Sequence, residues 1–285
     1  MYNLRYHIAS LVAIFLSLTI GLLLGTVVSE RGTLDEQRDA LTQGLREDFE
    51  ALSEENSKLS EQMILDEEFI DDVTPLLVEG ELAGKRVLLL ANAGRADGQD
   101  AVEDAVVAAG GALSLVRFTT PGLTLDGPEV SSVTTGVVVP EDGVTPTADE
   151  VLDALVREWT VAGESHPLTD ALVDADVLSV SEFPPDATID AVVVISSWNG
   201  EPDELGLRIA TEMHEMGLPA VGVETAGMPT GVAAAALEQG LSAVDDMGGS
   251  RSTYSLVYLL SGRATGAFGT GDAATDPYPK VEPLR

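Results

Sequence analysis

Apolar and polar positions divide the chain into three regimes. From Ile8 to Val28 no residue is charged, a run of 21 positions. About 20 apolar residues span a bilayer core as a helix. The apolar region of a secretory signal is shorter, about 7–15 residues, and a small-x-small cleavage pattern follows it. Here "GTVVSERG" follows, with no A-x-A pattern. Residues 1–29 are therefore read as an uncleaved transmembrane anchor, not as a cleaved signal or a buried core helix. Within the run Ala9, Ala13, Ser17, Gly21, Gly25 and Ser29 recur at every fourth position. On a helix they form one stripe, and small residues let two backbones approach closely in lipid. The bland alternative is that small residues are common in membrane helices.

In the second regime, residues 30–74, apolar residues return with a heptad period. Leu45, Leu52 and Leu59 are seven apart, and so are Phe49, Asn56, Met63 and Ile70. The two series interleave as the a and d positions of a coiled coil, with Asn56 at a, where it favours two parallel strands. Leu34 and Leu41 join through one four-residue step, a stutter. Asp66 interrupts d. This predicts a parallel homodimer or homo-oligomer with Ala13, Ser17, Gly21, Gly25, Phe49, Leu52, Asn56 and Leu59 at the interface. Residues 30–72 carry 15 acids against 4 bases, so a self-pairing coil is repelled at low salt. The alternative is a single amphipathic helix lying on the chain's own globular part. Pro75 is expected to end the helix.

The third regime, 75–268, alternates short apolar runs with helical stretches. "KRVLLLA" at Lys85–Ala91 precedes a glycine-containing loop, "DAVEDAVVAAGG" and then "ALSLVRF". Further strands are expected at Asp190–Ser196, Pro219–Thr225 and "LSAVDD". Helices are expected at "DELGLRIATEMHEMG", "TGVAAAALEQG" and "RSTYSLVYLLSG". This predicts an α/β domain with a mostly parallel, Rossmann-like or flavodoxin-like sheet. Residues 121–189 read as turns followed by two inserted helices, "ADEVLDALVREWTVAGE" and "PLTDALVDADVL". The tail, 269–285, reads as loosely ordered.

Net charge is −33, with three lysines and no cysteine. Nucleic acid is excluded as a partner, because little could neutralise its phosphates. Disulfides, thiol nucleophiles and thiolate metal sites are excluded together. In an open α/β sheet ligands bind at the carboxyl ends of strands. That points to "NAGRADGQD" (Asn92–Asp100) and "SSWNGEPDE" (Ser196–Glu204), where Ser196, Ser197, Trp198 and Asn199 could line a pocket; ordinary turns and a helix cap are the favoured alternative for either loop. Neither holds G-x-G-x-x-G or a P-loop lysine. His7, His166 and His214 stand in no catalytic motif, and Asp245 beside Asp246 is unexceptional among 48 acids. No enzyme is expected. "EMHEMG" groups Met213, His214 and Met216, and thioether with imidazole favours Cu(I). His214, however, points about 100° from Met213 on a helix. Core-facing methionine with a surface histidine is the alternative.

Three blocks carry a family resemblance: "YHIASLVAIFLSLTIGLLLGTVVSE", "LAGKRVLLLANAGRADG" and "LSAVDDMGGSRSTYSLVYLLSGRATGAFGTG" with its following "AATDPYP". With the acidic coiled stretch they resemble the actinobacterial copper transporter family MctB over nearly the whole length. The first block and Val244–Asp246 are its more specific parts. The resemblance implies copper handling in the cell envelope, with an outer pore proposed, and carries over no ligand or catalytic residue. Copper is thus possible by resemblance, and no other cofactor is expected.

The residues point to a single-pass membrane protein with its N-terminus cytoplasmic and its α/β domain outside. The lysine and arginine count does not itself favour that orientation. Long domains, however, translocate largely regardless of charge. Beyond Ile8–Val28 there is no second 18-residue apolar run and no series of alternating ten-residue strands. Three function classes follow. They are envelope copper homeostasis or efflux, a scaffold binding an envelope protein partner, and an enzyme by fold analogy alone.

Overall fold

A computed structural model of the chain describes residues 4–93, 97–140, 145–161, 165–181, 183–184, 188–195, 197–198, 201–227 and 230–280. It divides into two compact units, Met1–Glu67 and Glu68–Arg285.

Helix α1 (Leu4–Val78) makes up the first unit and begins the second. Its segment Arg5–Val27 is 23 residues long with a mean hydropathy of 2.4. At 1.5 Å per residue this is about 35 Å, enough to cross a hydrocarbon core of about 30 Å. Among the described residues it is the one helix long and apolar enough to do so. Its hydroxyls are satisfied on the helix itself. Ser17 donates to the Ala13 carbonyl at 2.8 Å and Thr19 to that of Phe15 at 2.7 Å. That is what a lipid environment requires of polar groups. Further along, Arg46 pairs with Glu50 and Lys58 with Glu54, each one helical turn apart.

Pro75 was expected to stop this helix but lies inside it. Proline removes one donor from the ladder, and contacts from outside hold the final turn. Val78 is fully buried, and the Tyr258 hydroxyl donates to the Leu77 carbonyl at 3.3 Å. The second unit therefore starts within the helix, at Glu68, rather than at residue 75.

The second unit continues with β1 (Arg86–Asn92), α2 (Gln99–Ala108) and β2 (Ala112–Phe118). Helices α3 (Pro128–Thr134), α4 (Ala148–Thr160) and α5 (Pro167–Asp174) follow. Then come β3 (Leu178–Ser181), β4 (Ala191–Val194) and a two-stranded ribbon, β5 (Ser197–Trp198) with β6 (Glu201–Pro202). The remaining elements are α6 (Glu204–Glu215), β7 (Ala220–Thr225), α7 (Val232–Glu238), β8 (Ser242–Met247), α8 (Ser250–Leu260) and β9 (Ala267–Phe268).

The main sheet runs β3-β2-β1-β4-β7-β8-β9. Only β3 is antiparallel to its neighbour. The five strands from β2 to β8 follow the flavodoxin-like order, so the chain reverses its direction of winding between β1 and β4. Both faces are buried. Leu88, Leu90, Val192 and Val194 point into a core shared with α3 to α7, whereas Val87, Leu89, Ala191 and Val193 point into one shared with α2, α8 and the end of α1. This is the strict alternation of a pleated strand, and it explains why the strands read as unbroken apolar runs.

The 121–189 region holds more structure than its sequence pattern shows. Helix α3 lies where turns were expected. The stretch "PLTDALVDADVL" is split, because Asp176 takes a left-handed φ of 57° and the chain re-enters the sheet as β3. Aspartate tolerates that backbone region better than most residues. Two local devices order this region. Thr147 and Glu150 form a reciprocal capping box at the start of α4. The Glu158 carboxylate accepts the Leu168 and Thr169 amides at 3.0 Å each, capping α5 from a neighbouring helix.

The tail also departs from expectation. Over Gly269–Asp276 it is hydrogen-bonded rather than loose, with Gly269 donating to Asp276 and Thr275 to Ala267. Residues 281–285 lie outside the described residues.

Sheet and helix approach most closely at Gly222, in the middle of β7. A Cβ there would stand 2.5 Å from that of Ala236 and 3.0 Å from the Val232 carbonyl oxygen. Gly222→Ala should therefore cost about 1–3 kcal/mol by overpacking, read as a lowered denaturation midpoint. An unchanged midpoint would mean that α7 moves away freely.

Candidate functional site

The winding reversal leaves a crevice at the carboxyl ends of β1 and β4, and a cavity of about 610 Å³ lies there. Each wall comes from a different element. Asn92 ends β1, Gly122–Thr124 follow β2, Pro202–Leu205 lead into α6, and Ala235 and Gln239 come from α7. Asn92 and Asp203 are buried polar residues. The Asn92 carbonyl accepts from Arg117, whose other terminal nitrogen donates to Gln99 at 2.6 Å. These bonds tie the first strand end to the second and to α2. Asp203 is the N-cap residue of α6, and Gly206 makes room for it: a Cβ there would lie 3.1 Å from Asp203 Oδ2.

Both loops singled out from sequence reach this crevice, the second through residues other than the four named. Asn92 from the first and Asp203 and Glu204 from the second line it. Gly94, Ser196 and Asn199 lie outside the described residues, and Ser197 and Trp198 form the β5 side of the ribbon. Thr124 and Gln239 had no sequence signal, since they arrive from elements distant in the chain.

A second constellation sits at the end of β8. Asp245, 9% exposed, accepts three backbone amides: Gly271 on Oδ1 at 3.0 Å, and Ala273 and Ala274 on Oδ2 at 3.1 and 2.8 Å. Glycine is required opposite it. A Cβ on Gly269 would fall 2.0 Å from Asp245 Oδ1, and one on Gly271 2.8 Å from Oδ2. Three amide donors to one carboxylate form a strong, charge-assisted clasp. It gives the Val244–Asp246 block and the glycine-rich "GTGDAA" one joint purpose, to hold β9 and the following segment on the sheet. Asp246 accepts from the Thr270 hydroxyl at 3.1 Å, while its Oδ1 is buried without a hydrogen-bond partner.

The structure does not bring Met213, His214 and Met216 together. Met213 is fully buried in the core beneath α6. His214 is exposed, with Nδ1 3.2 Å from the Leu218 carbonyl oxygen, and Met216 is exposed at the helix end. Helical rotation of about 100° per residue explains the separation. Among the described residues no group of three or more His, Cys, Asp or Glu could hold a metal ion.

The anchor and seam positions are free of intrachain packing. Ala13, Ser17, Gly21 and Gly25 are exposed on α1, and so are Phe49, Leu52, Asn56 and Leu59. Ala13 and Ser17 line a shallow groove with Ile14 and Leu18. A Cβ added at Gly21 or Gly25 would meet nothing within 4 Å.

A covered, open, doubly wound sheet following a long apolar helix defines a membrane-anchored α/β protein with a ligand-sized crevice. A family model described as copper transport outer membrane protein, MctB, matches residues 1–279, and the chain belongs to that family. Comparison with curated proteins and with solved structures gave no match.

The clasp carries a pH signature. Burial, the largest cause, and the neighbouring Asp245 charge raise the Asp246 carboxyl above its ordinary value of 3.8; Thr270 and Arg251 partly offset this. The folded protein then holds this proton more tightly than the unfolded chain. Its contribution to stability is full below 3.8 and is lost as pH rises through the raised value. Asp246→Asn should raise Tm relative to the parent at neutral pH, with the advantage vanishing toward pH 3.8. A constant difference across that range in thermal melts would refute the assignment.

Proposed function

We propose that this chain is a single-pass envelope protein of copper homeostasis. Its N-terminus lies in the cytoplasm, its α/β domain lies outside, and copper is cargo of the system it serves. The observation that carries this reading is the family match over residues 1–279, which includes the apolar helix Arg5–Val27. In this reading the domain binds rather than catalyses. Deletion should sensitise cells to copper, with restoration by the full chain. His214→Ala combined with Met216→Ala should complement like the parent, because the three candidate ligands sit in separate settings. Failure of that variant, with normal protein levels, would return the cluster to the copper path.

A second reading is favoured by the sheet itself. It is open, parallel and covered by helices on both faces, which supports a scaffold that binds an envelope partner and transports nothing. Unchanged copper tolerance on deletion would select it.

Both readings include parallel self-association through α1. The small-residue stripe and the heptad seam lie on one continuous helix, and both are exposed in the single chain. The chain has no cysteine, so Leu52→Cys gives a unique crosslinking probe. Disulfide-linked dimer should form in membranes and increase with salt, because the Debye length falls to about 3 Å at 1 M. Gly21→Leu with Gly25→Leu should reduce it by separating the anchors. No crosslink at any salt, while a control pair reacts, would exclude the parallel coil.

A further inference from the structure

Strand β8 ends in two consecutive carboxylates, which a pleated strand turns to opposite faces of the sheet. Both meet the segment 269–276. Asp245 holds it by the amides of Gly271, Ala273 and Ala274. Thr275 and Asp276 donate to the Ala267 carbonyl, so the same segment covers the outer edge of β9. It also walls a second cavity of about 420 Å³, which Gly271, Asp272 and Ala273 line together with Glu224 and Thr225 of β7.

Asp246 is less well provided for. The Thr270 hydroxyl donates to its Oδ2 at 3.1 Å, but Oδ1 is buried without a hydrogen-bond partner. The segment crosses directly over that atom, since a Cβ on Gly269 would lie 2.9 Å from it. A carboxylate oxygen shut off in this way is costly when ionised, and water would satisfy it if the segment lifted. The charged groups around it are Asp245 on its own strand and Arg251 on α8. Asp71 of α1 stands at the start of α8, where it accepts from Ser250. Burial and the Asp245 charge raise the Asp246 carboxyl above 3.8, against the opposing effects of Thr270 and Arg251.

We propose that the segment 269–276 is a pH-gated strap, closed over the second cavity and the β9 edge when Asp246 carries a proton and loosened when Asp246 ionises. The closed strap holds this proton more tightly than the open one. Closure is therefore strongest below about 3.8, weakens as pH rises through the raised value, and levels off above it. The device is independent of the copper reading, because it uses neither the anchor nor a metal.

The test is hydrogen exchange on the full chain in detergent, as protection factors corrected for the intrinsic effect of pH. From pH 4 upward the amides of Gly271, Ala273, Ala274 and Thr275 should lose protection, by up to about tenfold per unit, the limit for one proton. Amides of β1 and β4 should not follow. Asp246→Asn should keep the strap closed and abolish the dependence. Arg251→Gln, at an exposed position, removes the cation that favours ionisation and should extend the loss to higher pH. It settles the matter if Asp246→Asn fails to fold. The proposal is overturned by strap protection that ignores pH, by an equal loss in β1 and β4, by a dependence that survives Asp246→Asn, or by a profile unchanged in Arg251→Gln.

Discussion

The structure depends on the two-sided burial of its central strands. Residues Val87 to Ala91 and Ala191 to Val194 are all fully buried. A strand buried on both faces needs helices above and below it, and parallel neighbours need a crossover to join them. With helices on both faces, the chain must wind outward first on one side of β1 and then on the other. That reversal parts the loops after β1 and β4 and opens the crevice. The cavity is thus a consequence of how the core is covered, and its polar lining comes from the strand ends and helix starts that the reversal exposes.

The same constraint limits what the domain can do in an envelope. A sheet with helices on both faces offers no apolar strand face to lipid, and its edges, β3 and β9, are not paired with each other. The only segment suited to lipid among the described residues is the start of α1. On a membrane, Arg5–Val27 is the segment suited to the bilayer, and the same helix, α1, runs on into the second unit. Three contacts inside the second unit fix the end of that helix: Ser250 donates to Asp71 at 2.6 Å, Tyr258 to Leu77, and Arg263 pairs with Glu81 while stacking over the Tyr258 ring. The proline that should have broken the helix is tolerated where these contacts hold the chain on either side of it.

Much of this was legible in the sequence, for stated reasons. Apolar runs flanked by helical stretches marked the parallel strands from β1 to β8, most plainly β1, β4 and β7, where two-sided burial erases the polar alternation. The anchor was legible because lipid imposes both length and composition at once. What was illegible is what depends on distant residues. The edge strand β3 has only Leu178 buried in its face toward the core, so it carried no apolar run; Leu178 was read as the end of a helix and the strand itself was missed. The ordering of the tail was hidden, because glycine and proline read locally as disorder, whereas Asp245, far back in the chain, supplies the acceptor that orders it. Met213 and His214, adjacent in sequence, were read as one cluster; only the buried face of α6 separates them.

The transport question turns on the number of chains around one axis. One helix encloses nothing, and two helices in close contact along a small-residue stripe have no lumen between them. A parallel two-stranded coil, as Asn56 at an a position favours, would therefore hold two anchors together and exclude a path through them. A path lined by this chain needs several anchors held apart, and then the stripe would face a neighbour only at its edge and the polar seam residue would lose its reason. Tight pairing and an aqueous pore are thus competing uses of one helix. The acidic stalk adds to this, since 15 acids against 4 bases in residues 30–72 repel more strongly with each chain added. Charge and small-residue packing both favour few chains. If α1 pairs in this way, a family role in copper rests on what the α/β unit binds rather than on passage through its anchor.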